Sequence, residues 1–351
     1  MKITQVLLVE QNRMELVDKD VPSLLNSDVL VEVIACGICS SENPVYQGKT
    51  QNVPGVSFRY SKFPCFMGHE IVGIVTDVGK DVKCLKPGDR VTGVAYRESG
   101  FATHIIDSHE VFVKVPLNIP LEYALGEPLM AAVNIVRMSE PDFGDFIFIC
   151  GDGFMALLTI ACLQLYPLKS VVVSGHHDER LKIAKNLGAS IAINALHEDP
   201  YWIIREHLDG QHHDSQNTRW LGGVDIAFEF AGAMSALQLC ASLCKPKKRA
   251  KLMMPSFYGT DPFSIGHYLM NRAPTLIACH PAHSRNINDD LRRAMWALEN
   301  GIFPMEKLIT HVFRLDQVAE AIEMGIDRGD GYIKGIVVPD PAKLESDLST
   351  K

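Results

Sequence analysis

Two short stretches near the N-terminus carry side chains of metal-ligand type. Ala35-Cys36-Gly37-Ile38-Cys39-Ser40-Ser41-Glu42 directly follows a predicted strand, and Gly68-His69-Glu70 stands just ahead of the next one. A thiolate from Cys39, an imidazole from His69 and carboxylates suit tetrahedral Zn2+, with one position left for water or substrate. Such an ion is a Lewis acid that polarises a substrate oxygen. Each piece alone has a plainer reading, since a single cysteine is usually a small core residue and a His-Glu pair a surface turn. Cys36-x-x-Cys39 also has the spacing of a redox dithiol. That motif normally opens a helix in a thioredoxin-like unit, whereas here strands lie before and after it, so Cys36 is read as a packing neighbour.

A second constellation lies mid-chain. Gly151-Asp152-Gly153-Phe154-Met155-Ala156 follows the apolar strand DFIFIC (145–150) and opens a helical stretch. The first glycine permits a tight turn, the second lets backbone approach a pyrophosphate, and the small Ala156 allows helix–strand packing. Backbone N–H groups at the helix start then face the phosphates. The next strand, SVVVSG, ends in Gly175-His176-His177. A dinucleotide fold usually places an acid there on the adenosine ribose. Without one, a 2′-phosphate is not repelled and two imidazoles can donate to it, which favours NADP(H) over NAD(H). The plainer reading leaves both histidines merely exposed.

The elements that must position these groups change character near Pro141. Before it, short β-branched runs (29–35, 70–79, 89–95, 110–116) are separated by Gly, Pro and Asp clusters, as in a small all-β barrel or sandwich. After it, continuous apolar strands alternate with amphipathic helices to about residue 279, the pattern of a parallel sheet covered on both faces. Helices are expected over 290–301 and 315–327 and a last strand over 334–339, folding back onto the first domain. This is an α/β chain of two domains: 1–140 completed by 283–351, and 141–282. The polar stretch 210–220, with His212 and His213, reads as a surface loop.

Taken together, Cys39, Gly68-His69-Glu70, Lys86-Pro87-Gly88-Asp89-Arg90-Val91, Gly100-Phe101-Ala102, Glu127-Pro128-Leu129, Gly151-Asp152-Gly153, Asp225 to Gly232 and Gly335 to Val338 resemble the zinc-containing medium-chain dehydrogenases. The resemblance covers nearly the whole chain. It implies a GroES-like catalytic domain and a Rossmann nucleotide-binding domain. It implies Cys39 and His69 as zinc ligands, Glu70 as a ligand directly or through water, and Glu127 as the acidic ligand before the hinge helix. Ser41 matches the hydroxyl that relays the substrate proton, and Glu42 a supporting acid. The implied activity is NAD(P)-linked interconversion of a secondary alcohol and its ketone, with one catalytic zinc per subunit.

Several features depart from the family pattern. The lobe of four closely spaced cysteines that holds a structural zinc is missing, since no cysteine lies between Cys84 and Cys150. Asn43 and Pro44 stand where a relay histidine often follows the serine. Lys247-Lys248-Arg249 replaces a paired glycine, as a solvated turn or an aid to phosphate binding. The long segment 48–64 lies between two ligand-bearing turns. Its Arg59, Tyr60 and Lys62, with Arg97 and Glu98, are candidate contacts for a hydroxylated sugar, polyol or phosphate ester, or simply exposed loop charges.

Composition narrows the rest. A net charge of -8 argues against nucleic acid or an anionic membrane as partner. No apolar run reaches the ~20 residues of a membrane span, and the N-terminus reads as a strand and not as a signal peptide. Nine cysteines without a disulfide framework point to reduced thiols and a cytoplasmic protein. The family suggests a homodimer or homotetramer through the edge strand PTLIAC. Two other functions stay open: a zinc-free quinone or enone reductase of the same fold, and a non-redox lyase-like or binding member.

Overall fold

A computed structural model describes residues 2–53, 55–208, 222–246, 250–258, 262–281, 284–329 and 331–345. The stretch 210–220 with its two histidines, and Lys247-Lys248-Arg249, lie outside the described residues. The chain divides into two compact units, 1–130 with 286–351, and 131–285. The division falls inside one continuous helix, Gly126–Ser139, because its first turn belongs to the β-rich unit. No helix among the described residues is long and apolar enough to cross a membrane.

The first unit holds strands β1 (Lys2–Glu10), β2 (Arg13–Asp20), β3 (Asp28–Gly37), β4 (Cys65–Phe66), β5 (Glu70–Val78), β6 (Arg90–Val94), β7 (His104–Ser108) and β8 (Phe112–Lys114). β1 pairs with β2 and β4 in a small sheet, and β3 runs through the middle of a larger one. β3, DVLVEVIACG, is buried at every position but Glu32, so both its faces find apolar cover. Val31, Ile71, Phe101 and Ile105 belong to the core beneath it. The expected strand 110–116 shortens to β8, because Ser108 caps a single 3-10 turn over His109–Val111 by accepting from the Glu110 N–H.

The second unit is a six-stranded parallel sheet built from β9 (Phe146–Cys150), β10 (Ser170–Gly175), β11 (Ile191–Asn194), β12 (Ile226–Glu229), β13 (Lys251–Met254) and β14 (Thr275–Ala278). The order β11-β10-β9-β12-β13-β14 reverses direction between β9 and β12, the topological switch of a doubly wound sheet. β9 and β10 are buried at every residue, which is why they read as unbroken apolar runs with no alternation. The helix Phe154–Leu163 follows β9 and is buried at all but Met155.

The chain then returns to the first unit. Helix Ile287–Glu299 is capped by the Asn286 side chain, which accepts from the Asp289 N–H. β15 (Ile309–Arg314) and β16 (Lys334–Val338) complete the larger sheet in the order β15-β16-β3-β5-β6-β8, with β7 also pairing β3. β15 was not foreseen, because ITHVFR mixes polar and apolar residues and its partner β16 lies far along the chain.

Candidate metal centre and nucleotide cradle

Strand register brings the ligand-type side chains together. β3 and β5 run antiparallel with Gly37 opposite Glu70. The turn leaving β3 carries Cys39 and the turn entering β5 carries His69, so both stand at one end of the sheet. Ligand atoms of Cys39, His69 and Glu70 all lie within 4.8 Å of one another. Tetrahedral zinc bonds of about 2.0–2.3 Å place ligand atoms roughly 3.3–3.8 Å apart, a separation that falls inside this limit. Glu70 is buried, and Cys39 and His69 are partly so. Gly37 makes room for the acid, since a Cβ there would overlap Glu70 Oε2.

A second layer orients these groups. Glu42 is fully buried; its Oε1 accepts from the Gly68 N–H at 2.6 Å and lies 3.2 Å from His69 Nδ1. With Nδ1 turned to Glu42, the Nε2 lone pair is the one offered to a metal. Burial lowers the His69 pKa, but Glu42, Tyr60 and Cys39 outweigh it and hold the imidazole well above its ordinary value. Ser41 Oγ donates to Cys39 Sγ at 3.1 Å, a contact that stabilises the thiolate a metal needs. Cys36 is buried, and that burial pushes its thiol well up, with Glu42 and Glu70 adding to the effect, so it is a poor ligand or redox partner.

Lys334 is the residue sequence reasoning missed. β16 runs antiparallel to β3 with Ile336 opposite Gly37, which carries Lys334 to the same sheet end. Its buried ammonium donates to the Ile38 carbonyl at 2.8 Å and to Glu70 Oε1 at 2.8 Å. The available signal was a lysine opening an otherwise wholly apolar last strand. Glu127 sits in the first turn of helix Gly126–Ser139, outside the Cys39, His69 and Glu70 group. Burial, reinforced by Glu70 and Glu42 and opposed by His69 and Lys334, pushes its carboxyl up to about 7.

These acids fit a cation. Glu42, Glu70 and Glu127 face Lys334 and His69, and Glu42 Oε2 is buried with no hydrogen-bond partner. A bound cation would relieve the excess of negative charge, and a soft thiolate beside an imidazole and hard carboxylates is a donor set for zinc.

Most of the expected substrate contacts are spent on structure. Arg59 donates to the carbonyls of Phe66 at 2.7 Å and Gly68 at 2.8 Å, and to that of Ala95. Arg97 pairs with Asp28 at 2.7 Å and Asp107 at 3.4 Å, and Glu98 with Lys19 at 2.5 Å. Arg59, Arg97 and Glu98 therefore hold loops in place, and Lys62 is exposed. Tyr60 remains beside the site. Its hydroxyl is raised first by burial, with His69 pulling the other way and Glu42 adding to the rise. Tyr96, from the shortened segment, is raised by burial and by Glu127, against His69.

In the second unit, Gly151 takes a φ of 120° and its N–H donates to the Ser174 carbonyl at 2.8 Å, tying the turn to β10. Gly153 caps the helix Phe154–Leu163 with no side-chain bond to the helix start, and a Cβ on Gly153 would meet nothing within 4 Å. Open space in front of uncapped N–H groups is what a pyrophosphate requires, so the residues present fit a dinucleotide. Phe154 is buried in the first turn, and Met155 is partly buried. At the end of β10, His176 is exposed and His177 partly so, and both backbone N–H groups donate to Asp152.

Residues 26–116 match the model of the alcohol dehydrogenase GroES-like domain. The chain is 29% identical over 338 residues to the L-threonine 3-dehydrogenase of Pyrococcus abyssi, covering 88% of this chain and 91% of that one. It is 24% identical over 370 residues to an uncharacterised zinc-type alcohol dehydrogenase-like protein of Escherichia coli, covering 96% and 99%. The crystal structure of 2R,3R-butanediol dehydrogenase from Bacillus subtilis shares the fold at a TM-score of 0.80 and 22% identity, over 96% of this chain and all of that one. The GroES-like match, the threonine and zinc-type alcohol dehydrogenase relatives and the reversing parallel sheet agree in supporting the medium-chain dehydrogenase/reductase superfamily.

Proposed function

We propose that the protein is a zinc-dependent, nicotinamide-linked dehydrogenase that interconverts a small secondary alcohol and its ketone. The observation that carries this reading is the convergence of Cys39, His69 and Glu70 ligand atoms within 4.8 Å. Cys39 and His69 would hold the ion, with Glu70 or Glu127 as the acidic partner. When bound, zinc would supply Lewis acidity toward the substrate oxygen, and the nicotinamide would take the hydride.

The chain's own residues supply the rest. Glu42 sets the His69 tautomer, and Lys334 holds Glu70. Ser41 is the hydroxyl next to the ligand thiol and would pass on the proton of the substrate alcohol. Gly151, Gly153 and the helix start at Phe154 and Met155 would seat the pyrophosphate, and the stretch from Gly175 to His177 would line the adenosine ribose. The substrate class is a polyol, sugar or sugar phosphate. Threonine oxidised at C3 and 2,3-butanediol, the substrates in the relatives' names, are both small polar secondary alcohols. We further place the protein in the cytoplasm as a homodimer or homotetramer assembled along β14, which sedimentation of the purified protein would contradict by giving a monomer.

The test is net reduction of nicotinamide, followed by absorbance, across a panel of polyols, sugars and their phosphates before and after metal removal. Substrate-dependent reduction that disappears with a chelator and returns with zinc is the expected result. Turnover of quinones or enones that ignores metal removal points instead to the zinc-free reductase. Turnover without net cofactor reduction points to the non-redox reading.

A further inference from the structure

We propose that Asp152, the middle residue of the Gly151-Asp152-Gly153 turn, selects the dinucleotide and makes the protein specific for NAD(H). The proposal rests on the dinucleotide-binding reading of the second unit, and it reverses the preference drawn from the sequence. In such folds an acid at the end of the second strand accepts from the ribose hydroxyls and rejects a 2′-phosphate. Here that strand is β10, and its last residue is Gly175.

The structure supplies the acid from elsewhere. A Cβ on Gly175 would overlap the Cβ, Cγ and Oδ2 atoms of Asp152, so the Asp152 side chain fills the space that the side chain at 175 gives up. The two positions form one exchange: an acid can come from the glycine turn only because the strand end is bare.

The two backbone N–H groups that would otherwise receive a 2′-phosphate are already committed to this carboxylate. Asp152 Oδ2 accepts from the His176 N–H at 2.9 Å and the His177 N–H at 2.8 Å. The His177 ring nitrogen Nδ1 lies 3.1 Å from Oδ2 and 3.3 Å from Oδ1. Arg180, itself buried, stands 3.8 Å from Oδ1. A phosphate carrying about two negative charges at neutral pH would have to displace a buried carboxylate to reach these donors. A ribose diol has no such conflict. Both amides bond to Oδ2, the His177 ring and the Arg180 guanidinium lie 3.3 Å and 3.8 Å from Oδ1, and an ionised carboxylate has about four acceptor positions.

The experiment is titration of the full-length protein with NADH and with NADPH, read by nicotinamide fluorescence without turnover. The variants are Asp152→Asn, which keeps an acceptor for the two amides and loses the charge, and Asp152→Ser, which also releases the amides. We expect the unaltered protein to bind NADH at least about tenfold more tightly than NADPH. We expect D152N to narrow that ratio by about tenfold, and D152S to move it further toward NADPH. A wild-type preference for NADPH overturns the proposal. So does an unchanged ratio in a D152N protein that still melts cooperatively, which also covers the case in which D152S does not fold. If neither nucleotide binds the wild type, the dinucleotide reading itself fails and takes this proposal with it.

Discussion

The Lys334 ammonium lies 2.5 Å from Glu70 Oε2 and 2.8 Å from Glu70 Oε1, with both side chains buried. The pair joins the last strand to the first residue of β5, and it fixes the carboxylate whose oxygen lies within 4.8 Å of the Cys39 and His69 ligand atoms. Burial works against the Lys334 charge, yet Glu70 and Cys39 more than compensate and raise its pKa. A buried pair of this kind contributes little net stability, but losing one partner strands the other.

Replacing Lys334 with methionine should therefore destabilise the protein by about 3–5 kcal/mol, because Glu70 is left ionised and unpaired. The double variant Lys334→Met with Glu70→Gln should recover much of that loss. Urea unfolding of the two single variants and the double variant checks the coupling. Additive effects would show that the two side chains do not act as a pair.

Metal analysis of the purified protein should give one zinc per chain, since among the described residues one group of three such side chains has ligand atoms close enough to share an ion. Cys39→Ala and His69→Ala should each lose the zinc while the protein stays folded by circular dichroism. Two tightly bound zincs per chain would contradict the missing structural lobe.

Glu42→Gln should weaken zinc binding by about 10–100-fold, the usual effect of removing an acid that orients a ligating histidine. Competition with a chromogenic chelator measures this directly. Unchanged affinity would mean that the 3.2 Å contact with His69 does not set the ring.

Ser41→Ala should leave zinc content unaltered and lower kcat by about a hundredfold, as expected when a proton-relaying hydroxyl is removed. Loss of zinc in this variant would assign Ser41 instead to supporting the Cys39 thiolate, the group to which its hydroxyl donates.

Much of this protein is legible from local chemistry. Cys39 after one strand, His69 before another and Gly151-Asp152-Gly153 between a strand and a helix could be read directly, because turns and apolar periodicity are properties of neighbouring residues. So could the change near Pro141 from punctuated β-runs to alternating strands and helices. The tertiary structure decided what depends on partners far apart in the chain. Lys334 is 264 positions from Glu70 and meets it only because β16 and β5 both flank β3. Arg59 and Arg97 could be substrate contacts or loop charges on sequence, and the fold supplies the carbonyls and aspartates that hold them. The carboxylate of Asp152 beside the end of β10 was hidden for the same reason. An empty strand end at Gly175 is filled by a side chain from a different turn, a relation of space that spacing along the sequence does not encode.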